Sequence, residues 1–285
     1  MTSLPNKASL KERAASGVAV DEAALLALSH RVHELAELGF EEHASATACA
    51  EELSSGGLEV EAGVAGLPTA FVATAGSGPF LVGICAEYDA LPGIGHACGH
   101  NVIASAAVGA GRALAPLADD LGLTVKVFGT PAEEGGGGKI LMMEGGAFEG
   151  VHAAMMVHPA PSELDRMLCL AVAHYDVVYK GKEAHASAFP ELGVNAADAL
   201  TVAQVAIGLL RQHARHRDQV HGIVTKGGAA PNIVPALTEA KYYIRARSLE
   251  ELDDWLPRVL ACFEAGATAT GARLELVERG PAYSE

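Results

Sequence analysis

The chain has 285 residues, 50% of them hydrophobic, and it carries 20 Lys and Arg against 35 Asp and Glu, a formal net charge of −15. A chain of this length and hydrophobicity can bury one large core or two ordinary ones. The acidic excess argues against a nucleic-acid partner and against attraction to anionic membrane surfaces. A small-molecule substrate fits these properties better.

The N-terminal residues 1–13 are polar and mixed in charge, and they lack the apolar core of a secretion signal. No stretch comes near the ~18 consecutive apolar residues that a membrane helix needs. The five cysteines are scattered and odd in number, so a disulfide framework is not expected. We therefore expect a folded protein of the cytoplasm.

The first half of the chain alternates between helical and strand-like patterns. The predicted elements are helices at 21–38 and 41–53, strands at 58–64, 69–73 and 80–86, a helix at 104–117, a strand at 123–128, a helix at 139–144 and an apolar run at 153–157. This alternation predicts an α/β domain with a mostly parallel sheet covered by helices. In such a sheet the ligand site lies beyond the carboxyl ends of the strands.

After Pro161 the pattern changes. The predicted elements are a strand at 167–179, a helix at 195–216, strands at 220–225 and 237–245, a helix at 249–265 and a strand at 273–277. The order βαββαβ predicts an α+β domain of two layers. We place the first domain at 1–166 and the second at 167–280, and we expect residues 281–285 to start a return to the first domain.

Side chains that ligate metals gather at the predicted strand ends of the first domain. They are Cys98, His100, Glu133, Glu134 and His158. Buried imidazoles and carboxylates are costly when unpaired, so core packing explains this grouping poorly. Thiolate, imidazole and carboxylate ligands together suit zinc, and they suit manganese less well because of the soft sulfur. The grouping predicts a metal hydrolase.

Several roles stay open on the residues alone. Adjacent Glu133 and Glu134 cannot both point in one direction, so one can bind metal while the other acts as general base, or both can be solvated in a loop. Asp89 either orients a ligand histidine from behind or caps the turn before Pro92. His96 has no evident task and is either packed or exposed at the rim of the site.

The motifs resemble those of the dinuclear metallopeptidases of the aminoacylase and glutamate carboxypeptidase type. The most similar branch comprises amidohydrolases, including aminobenzoyl-glutamate, hippurate and auxin-conjugate hydrolases and dipeptidases of the β-alanyl-lysine type. The resemblance covers nearly the whole chain. Its segments run from Ala86 to Pro92, from His96 to Asn101, from Thr130 to Glu134 and from His158 to Pro159.

The resemblance implies a catalytic domain that binds two divalent ions, Zn or Mn. Its ligands would be Cys98, His100, Glu134 and His158, and Glu133 would be the catalytic base. A metal-dependent amidohydrolase of this kind cleaves the amide bond of an N-acyl amino acid or a dipeptide-like substrate with metal-activated water.

The resemblance also implies that the second domain is an inserted lid and dimerisation domain. His185 would reach the active site of the neighbouring subunit in a homodimer and polarise the scissile carbonyl. Asn232 and Arg245 match positions that hold the substrate, often through its carboxylate.

Two alternatives to an active metal hydrolase follow from the sequence. Members of this family return to the catalytic domain for about another hundred residues, with one further metal-binding histidine, and no histidine follows His221 here. The first alternative is therefore a truncated, catalytically impaired homologue that dimerises or binds metal, with room for only one ion. The second makes Cys98 the nucleophile of a thiol amidase.

Overall fold

The structure, a computed structural model, describes residues 7–165 and 169–284. The chain divides into two compact units, Met1–Glu163 and Leu164–Glu285. The predicted domain boundary between residues 166 and 167 lies outside the described residues. The division into a catalytic domain and a lid domain stays a prediction.

The first unit is an α/β layer structure. Its helices are α1 (Lys7–Leu35), α2 (His43–Ser55), α3 (His100–Leu114), α4 (Ala118–Leu121) and α5 (Gly138–Glu144). Its strands are β1 (Glu59–Ala62), β2 (Phe71–Ala75), β3 (Phe80–Ala86), β4 (Leu123–Gly129) and β5 (Ala153–Met155), in the sheet order β1-β2-β4-β3-β5.

The sheet of the first unit is mixed. Strands β4 and β5 pair parallel to β3, whereas β1 with β2 and β2 with β4 pair antiparallel. The short connections 63–70 and 76–79 reverse the chain, because parallel neighbours need a crossover of a dozen or more residues. The α/β class is confirmed, and the parallel part of the sheet is smaller than the sequence pattern predicts.

Both faces of this sheet carry a core, because successive side chains of a strand point to opposite faces. On one face Phe71, Ala73, Val125 and Val127 pack among buried residues of α1, α2 and α3. On the other face Val72 and Phe128 pack with Met142 of α5. The carboxyl ends of β3, β4 and β5 meet at one edge of this two-sided sheet.

Among the described residues, one helical stretch, His100–Leu121, has the length and composition of a membrane span. Its most apolar window is 56% buried inside the protein. Ile103, Ala104 and Val108 belong to its buried positions, and α3 contacts both α1 and β3. The apolar composition of this stretch is accounted for by its place in the core.

The second unit has the predicted βαββαβ order. Its elements are β6 (Ala171–Lys180), α6 (Ala196–Leu210), β7 (Gln219–Lys226), β8 (Leu237–Ala246), α7 (Leu249–Thr270) and β9 (Arg273–Glu278). The strands form an antiparallel sheet in the order β7-β8-β6-β9. Both helices pack on one face of it, where Val177, Ile244 and Trp255 lie in the core.

Local signals in the sequence fix where the helices of the second unit begin. The Asn195 side chain accepts a hydrogen bond from the N–H of Ala197 at the start of α6. Ser248 does the same for Glu251 at the start of α7, with the residue types of a capping box. Near the C-terminus Tyr283 forms a β-bridge with Val172 of β6. The predicted return of residues 281–285 to the first domain stays a prediction.

Candidate metal centre

The candidate ligands of the first unit lie around the edge where its parallel strands end. Asp89 follows β3, Glu133 and Glu134 follow β4, and His158 follows β5. His100 is the first residue of α3. The parallel strand ends therefore bring these segments to one region, as in other open α/β sheets.

Gly99 allows the segment before α3 to approach the segment after β5. Its φ of +82° lies in the left-handed region that favours glycine. A Cβ added to Gly99 would lie 2.9 Å from Cγ of Pro159, the residue after His158. The rings of His100 and His158 are perpendicular, with centroids 6.2 Å apart.

His100 is 1% exposed, and both of its ring nitrogens face oxygen atoms. Nδ1 donates to the backbone oxygen of Asp89 at 2.8 Å and to its Oδ1 at 2.9 Å. These partners only accept, so the hydrogen is on Nδ1 and the lone pair is on Nε2 when the ring is neutral. Nε2 of His100 is thus available as a possible metal ligand.

Three carboxylates surround Nε2 of His100. The distances from it are 3.3 Å to Oε2 of Glu87, 3.7 Å to Oε2 of Glu133 and 3.8 Å to Oε1 of Glu134. Burial lowers the pKa of His100, but the hydrogen bond to Asp89 and the charges of Asp89, Glu87 and Glu133 raise it to about 9. The carboxylates around His100 therefore favour a positively charged group at this position.

The donor atoms of this region fit a divalent metal ion. Glu87 Oε2, His100 Nε2 and Glu134 Oε1 are buried and have no hydrogen-bond partner among the described residues. Such orphaned atoms are costly unless something binds them. Tetrahedral zinc, with bonds of about 2.0–2.2 Å, places its ligand atoms about 3.3–3.6 Å apart, close to the separations from Nε2 given above.

His158 extends the donor set, whereas Cys98 belongs to neither group of converging ligand atoms among the described residues. Ligand atoms of Glu87, His100 and His158 lie within 4.8 Å of one another, as do those of His100, Glu133 and Glu134. The hydrogen bond between Cys98 and Glu134, together with burial and nearby carboxylates, raises the pKa of the Cys98 thiol to about 12. Cys98 and Glu134 are therefore direct neighbours.

The two glutamates after β4 differ in their surroundings, as adjacent residues of a loop should. Burial, followed by the charge of Glu87, raises the pKa of Glu133. The side chain of Glu133 is 37% exposed, whereas that of Glu134 is 20% exposed and has its Oε1 buried. A partly exposed carboxylate with a raised pKa is suited to take a proton from water.

Asp89 contacts two parts of the candidate site. Its Oδ2 accepts the N–H of Glu134 at 2.9 Å, and its Oδ1 faces His100. Burial alone would raise the pKa of Asp89, but the hydrogen bonds from His100 and Glu134 hold it below its usual value. The carboxylate therefore stays ionised beneath the cluster.

Sequence reasoning missed Glu87 and Lys139. The side chain of Glu87 is buried, one of its oxygens faces His100, and the other forms an ion pair with Lys139. The sequence contained a signal for Glu87, because Glu87 and Asp89 are two residues apart directly after β3. Side chains at that spacing lie on the same side of an extended chain. His96 is a packed histidine, whose Nε2 lies 3.0 Å from the backbone oxygen of Val32.

In the second unit the structure brings His185 and Asn232 together. His185 forms a β-bridge with Ile233, and the N–H of Ala186 donates to the backbone oxygen of Asn232 at 3.0 Å. Both side chains belong to exposed residues. Arg245 lies in β8, where its Nε donates to Nε2 of His221 at 3.2 Å. The roles of His185, Asn232 and Arg245 stay predictions.

Comparison with known proteins assigns the family. Residues 171–269 match the M20 peptidase dimerisation domain. The chain is 40% identical to the Xaa-Arg dipeptidase of Mus musculus, over 96% of this chain and 67% of that protein. It is 34% identical to one of the subunits of the p-aminobenzoyl-glutamate hydrolase of Escherichia coli K12, over 87% of this chain and 56% of that protein. The chain belongs to the M20 peptidase family.

Solved structures of low sequence identity share the fold. An aminobenzoyl-glutamate utilization protein from Klebsiella pneumoniae superimposes with a TM-score of 0.77 at 21% identity, over 95% of this chain and 79% of that one. A dinuclear metal binding peptidase of the M20 family from Bacillus subtilis gives 0.63 at 21% identity, over 92% and 75%. The chain spans 64% of the length of the human Xaa-Arg dipeptidase, to which it is 39% identical over 92% of its own length.

Proposed function

We propose that the protein is a metal-dependent amide hydrolase that acts on N-acyl amino acids or dipeptides. The observation that carries this proposal is the convergence of unpartnered buried atoms of Glu87, His100 and Glu134 beside the partly exposed carboxylate of Glu133. The names of the relatives, a dipeptidase and an aminobenzoyl-glutamate hydrolase, support amide bonds next to an amino acid as the substrate class.

The proposed ligands are Cys98, His100, Glu134 and His158, holding one or two ions of zinc or manganese. Glu87 lies close enough to His100 to join them. A bound divalent cation would supply Lewis-acid chemistry, lowering the pKa of a water molecule and polarising the substrate carbonyl.

In the proposed reaction Glu133 moves the proton. Its carboxylate takes a proton from the attacking water and later delivers it to the amine that leaves. Asp89 keeps the His100 ring in one orientation through the contact at Nδ1, and Lys139 keeps Glu87 facing the same ring. Each of these side chains has a contact that suits its proposed task.

We also propose a homodimer formed through the second unit, which the match of residues 171–269 to a peptidase dimerisation domain supports. His185 would act across the dimer and stabilise the developing negative charge on the carbonyl oxygen. Asn232 and Arg245 would hold the substrate. A cytoplasmic location remains part of the proposal and is supported by the odd number of scattered cysteines. The net charge of −15 supports the absence of nucleic acid and anionic membrane partners.

The test is hydrolysis by the purified chain. N-acyl amino acids, dipeptides ending in arginine and aminobenzoyl-glutamate are offered with Zn²⁺ or Mn²⁺, and the released amine is measured. We expect turnover that a chelator abolishes, that added metal restores and that Glu133→Gln lowers strongly. Turnover that survives metal removal contradicts the proposal. Metal binding without turnover would favour the dimerising or metal-binding alternative.

A further inference from the structure

A short connection between α1 and α2, residues 36–42, contacts both loops that carry the candidate metal site. The N–H of Ala90, next to Asp89, donates to the backbone oxygen of Glu37 at 2.8 Å. Oε1 of Glu42 accepts the N–H of Ala132, next to Glu133, at 2.7 Å. We call residues 36–42 the brace.

The brace and its partner loop contain strained backbone. Ala36, Phe40 and Ala132 have φ values of +44°, +66° and +54°, in the left-handed region that non-glycine residues rarely adopt. Such a backbone conformation is unfavourable and persists only where its surroundings fix it. Strained residues of this kind cluster at functional sites.

The brace packs tightly against the loop that holds the two glutamates. A Cβ added to Gly39 would lie 3.0 Å from Cβ of Ala132. A Cβ added to Gly136 would lie 2.3 Å from Cε2 of Phe40. The backbone at Gly39 therefore lies close to Ala132, and the ring of Phe40 lies against the backbone at Gly136.

Glu42 is the buried polar residue of this contact, with 0% of its surface exposed. Burial raises the pKa of Glu42, so the carboxyl group is held in surroundings that oppose its charge. Replacing buried charged groups by well-packed apolar side chains is often neutral or stabilising, so burial of this carboxyl group is weak evidence of a role in stability. The hydrogen bond from the N–H of Ala132 points to a role of Glu42 in the loop of Glu133.

Two carboxylates hold the short turn that presents Glu133 and Glu134. Glu42 accepts the N–H of Ala132, and Asp89 accepts the N–H of Glu134 at 2.9 Å. The peptide units that precede Ala132 and Glu134 are thereby held, and Glu133 lies between them. The directions in which the two glutamate side chains leave the backbone are fixed with them.

We propose that Glu42 is a positioning residue: through the N–H of Ala132 it sets the placement of Glu133 and Glu134 relative to His100. The inference rests on the proposed function, because the residues that it places are the proposed base and a proposed metal ligand. Glu42 itself touches neither substrate nor metal.

The test compares three variants of the purified chain. Glu42→Met keeps the length of the side chain and removes the acceptor, whereas Glu42→Gln keeps one acceptor oxygen. Thr124→Val is the matched control, because it removes one side-chain-to-backbone hydrogen bond, from Oγ1 of Thr124 to the backbone oxygen of Gly78 at 2.7 Å, at the end of β4 away from Glu133. Affinity for Zn²⁺ and Mn²⁺ is measured by competition with a chromophoric chelator, and unfolding is followed by circular dichroism.

We expect Glu42→Met to weaken metal affinity by about 10-fold or more, as loss of a group that orients ligands commonly does. Glu42→Gln and Thr124→Val should stay close to the parent protein in metal affinity. In any hydrolysis that is measurable, Glu42→Met should lower kcat more than it raises KM. A purely structural role predicts a lower melting temperature in Glu42→Met with unchanged metal affinity, and that result would overturn the inference.

Glu42→Asp covers the case in which Glu42→Met does not fold. It keeps the carboxylate but is one methylene shorter, so its oxygens fall short of the N–H of Ala132 that Oε1 of Glu42 accepts at 2.7 Å. We expect faster amide hydrogen exchange in residues 130–137 and weaker metal affinity, and no change in either would overturn the inference. If the parent chain binds neither Zn²⁺ nor Mn²⁺, the proposed function is overturned together with this inference. If the parent binds metal, but a folded Glu42→Met binds it with the same affinity, only the role of Glu42 is overturned.

Discussion

Asp89 and His100 form a buried pair in which Oδ1 of the carboxylate lies 2.9 Å from Nδ1 of the imidazole, and each residue is 1% exposed. The other carboxylate oxygen accepts the N–H of Glu134. One acid thus orients the ring of one proposed ligand and the backbone of another. Partners of this kind commonly fix the tautomer of a metal-binding histidine and increase its basicity.

Asp89→Asn should weaken the affinity for Zn²⁺ by about 10–100-fold. The amide removes the negative charge beside His100 and cannot accept both hydrogen bonds that the carboxylate accepts. Chelator competition measures the effect. Asp119→Asn is the control, since Asp119 accepts the N–H of Ser77 at 3.0 Å on an exposed part of the same unit. Equal losses in the two variants, or none in Asp89→Asn, would contradict the role of Asp89.

Glu133 and Glu134 should separate into a base and a ligand. We expect Glu133→Gln to lower kcat by about 10²–10⁴-fold and to leave metal affinity near that of the parent, because it removes the group that transfers the proton. Glu134→Gln should weaken metal affinity first, because its buried Oε1 is a proposed ligand atom. Paired kcat and metal titrations decide between the roles, and the reverse pattern would exchange the two assignments.

Gly99→Ala should disturb the metal site by a steric route. Both Gly99 and Gly93 have positive φ, +82° and +78°, but only the Cβ at Gly99 would meet Pro159, while at Gly93 no described atom lies within 4 Å. The conformational cost of about 1 kcal/mol is therefore common to both alanine variants. Chemical denaturation should show the larger loss in Gly99→Ala, and metal affinity should fall in that variant alone. Unchanged affinity would show that Pro159 can move away freely.

Much of the fold could be predicted from apolar patterns. Strand β3 was predicted at 80–86 and is observed as Phe80–Ala86, because Gly and Pro bound a continuous apolar run. Helix α1 was predicted to begin at residue 21 and begins at Lys7, since its first turns are mostly exposed and have no apolar face to detect. The run at 153–157 contains the edge strand β5, whose residues are exposed, and an apolar run alone does not reveal burial.

The candidate site was only partly predictable, because some of its contacts join residues that are far apart in the sequence. Cys98, His100 and Glu134 stand out by residue type, because metal chemistry favours their side chains. The place of Glu42 depends on Ala132, 90 residues further along the chain, and no local pattern announces such a contact. The position of the Glu87 side chain likewise depends on its contacts with Lys139 and His100.

His174 should make the stability of the second unit depend on pH. It lies in β6 on the sheet face opposite the helices, in ring contact with Tyr243 and Tyr283, and is 8% exposed. Burial, followed by the charges of Arg245 and His221, lowers the pKa of His174 from 6.5 to about 4. The folded state therefore favours the neutral ring.

The contribution of His174 should be present above pH ~6.5 and be lost as the pH falls toward about 4, because the unfolded chain binds the proton first. At about 1.4 kcal/mol per pH unit, the loss amounts to roughly 3 kcal/mol. Trp255 is the single tryptophan and is 2% exposed in the core of this unit, so its fluorescence follows the unfolding there. Unfolding of His174→Gln should depend less on pH over this range, and parallel pH curves for parent and variant would contradict the assignment.

The central claim is that His100 and Glu134 hold a divalent cation next to a free acid. Crystals of the parent chain grown with Zn²⁺ or Mn²⁺, and measured at the absorption edge of the metal, locate the ion directly. The account predicts an anomalous peak about 2.0–2.2 Å from Nε2 of His100 and from a carboxylate oxygen of Glu134, with Glu133 beside it and not replacing it. A chain saturated with metal whose only peaks lie away from His100 and Glu134 would contradict the account.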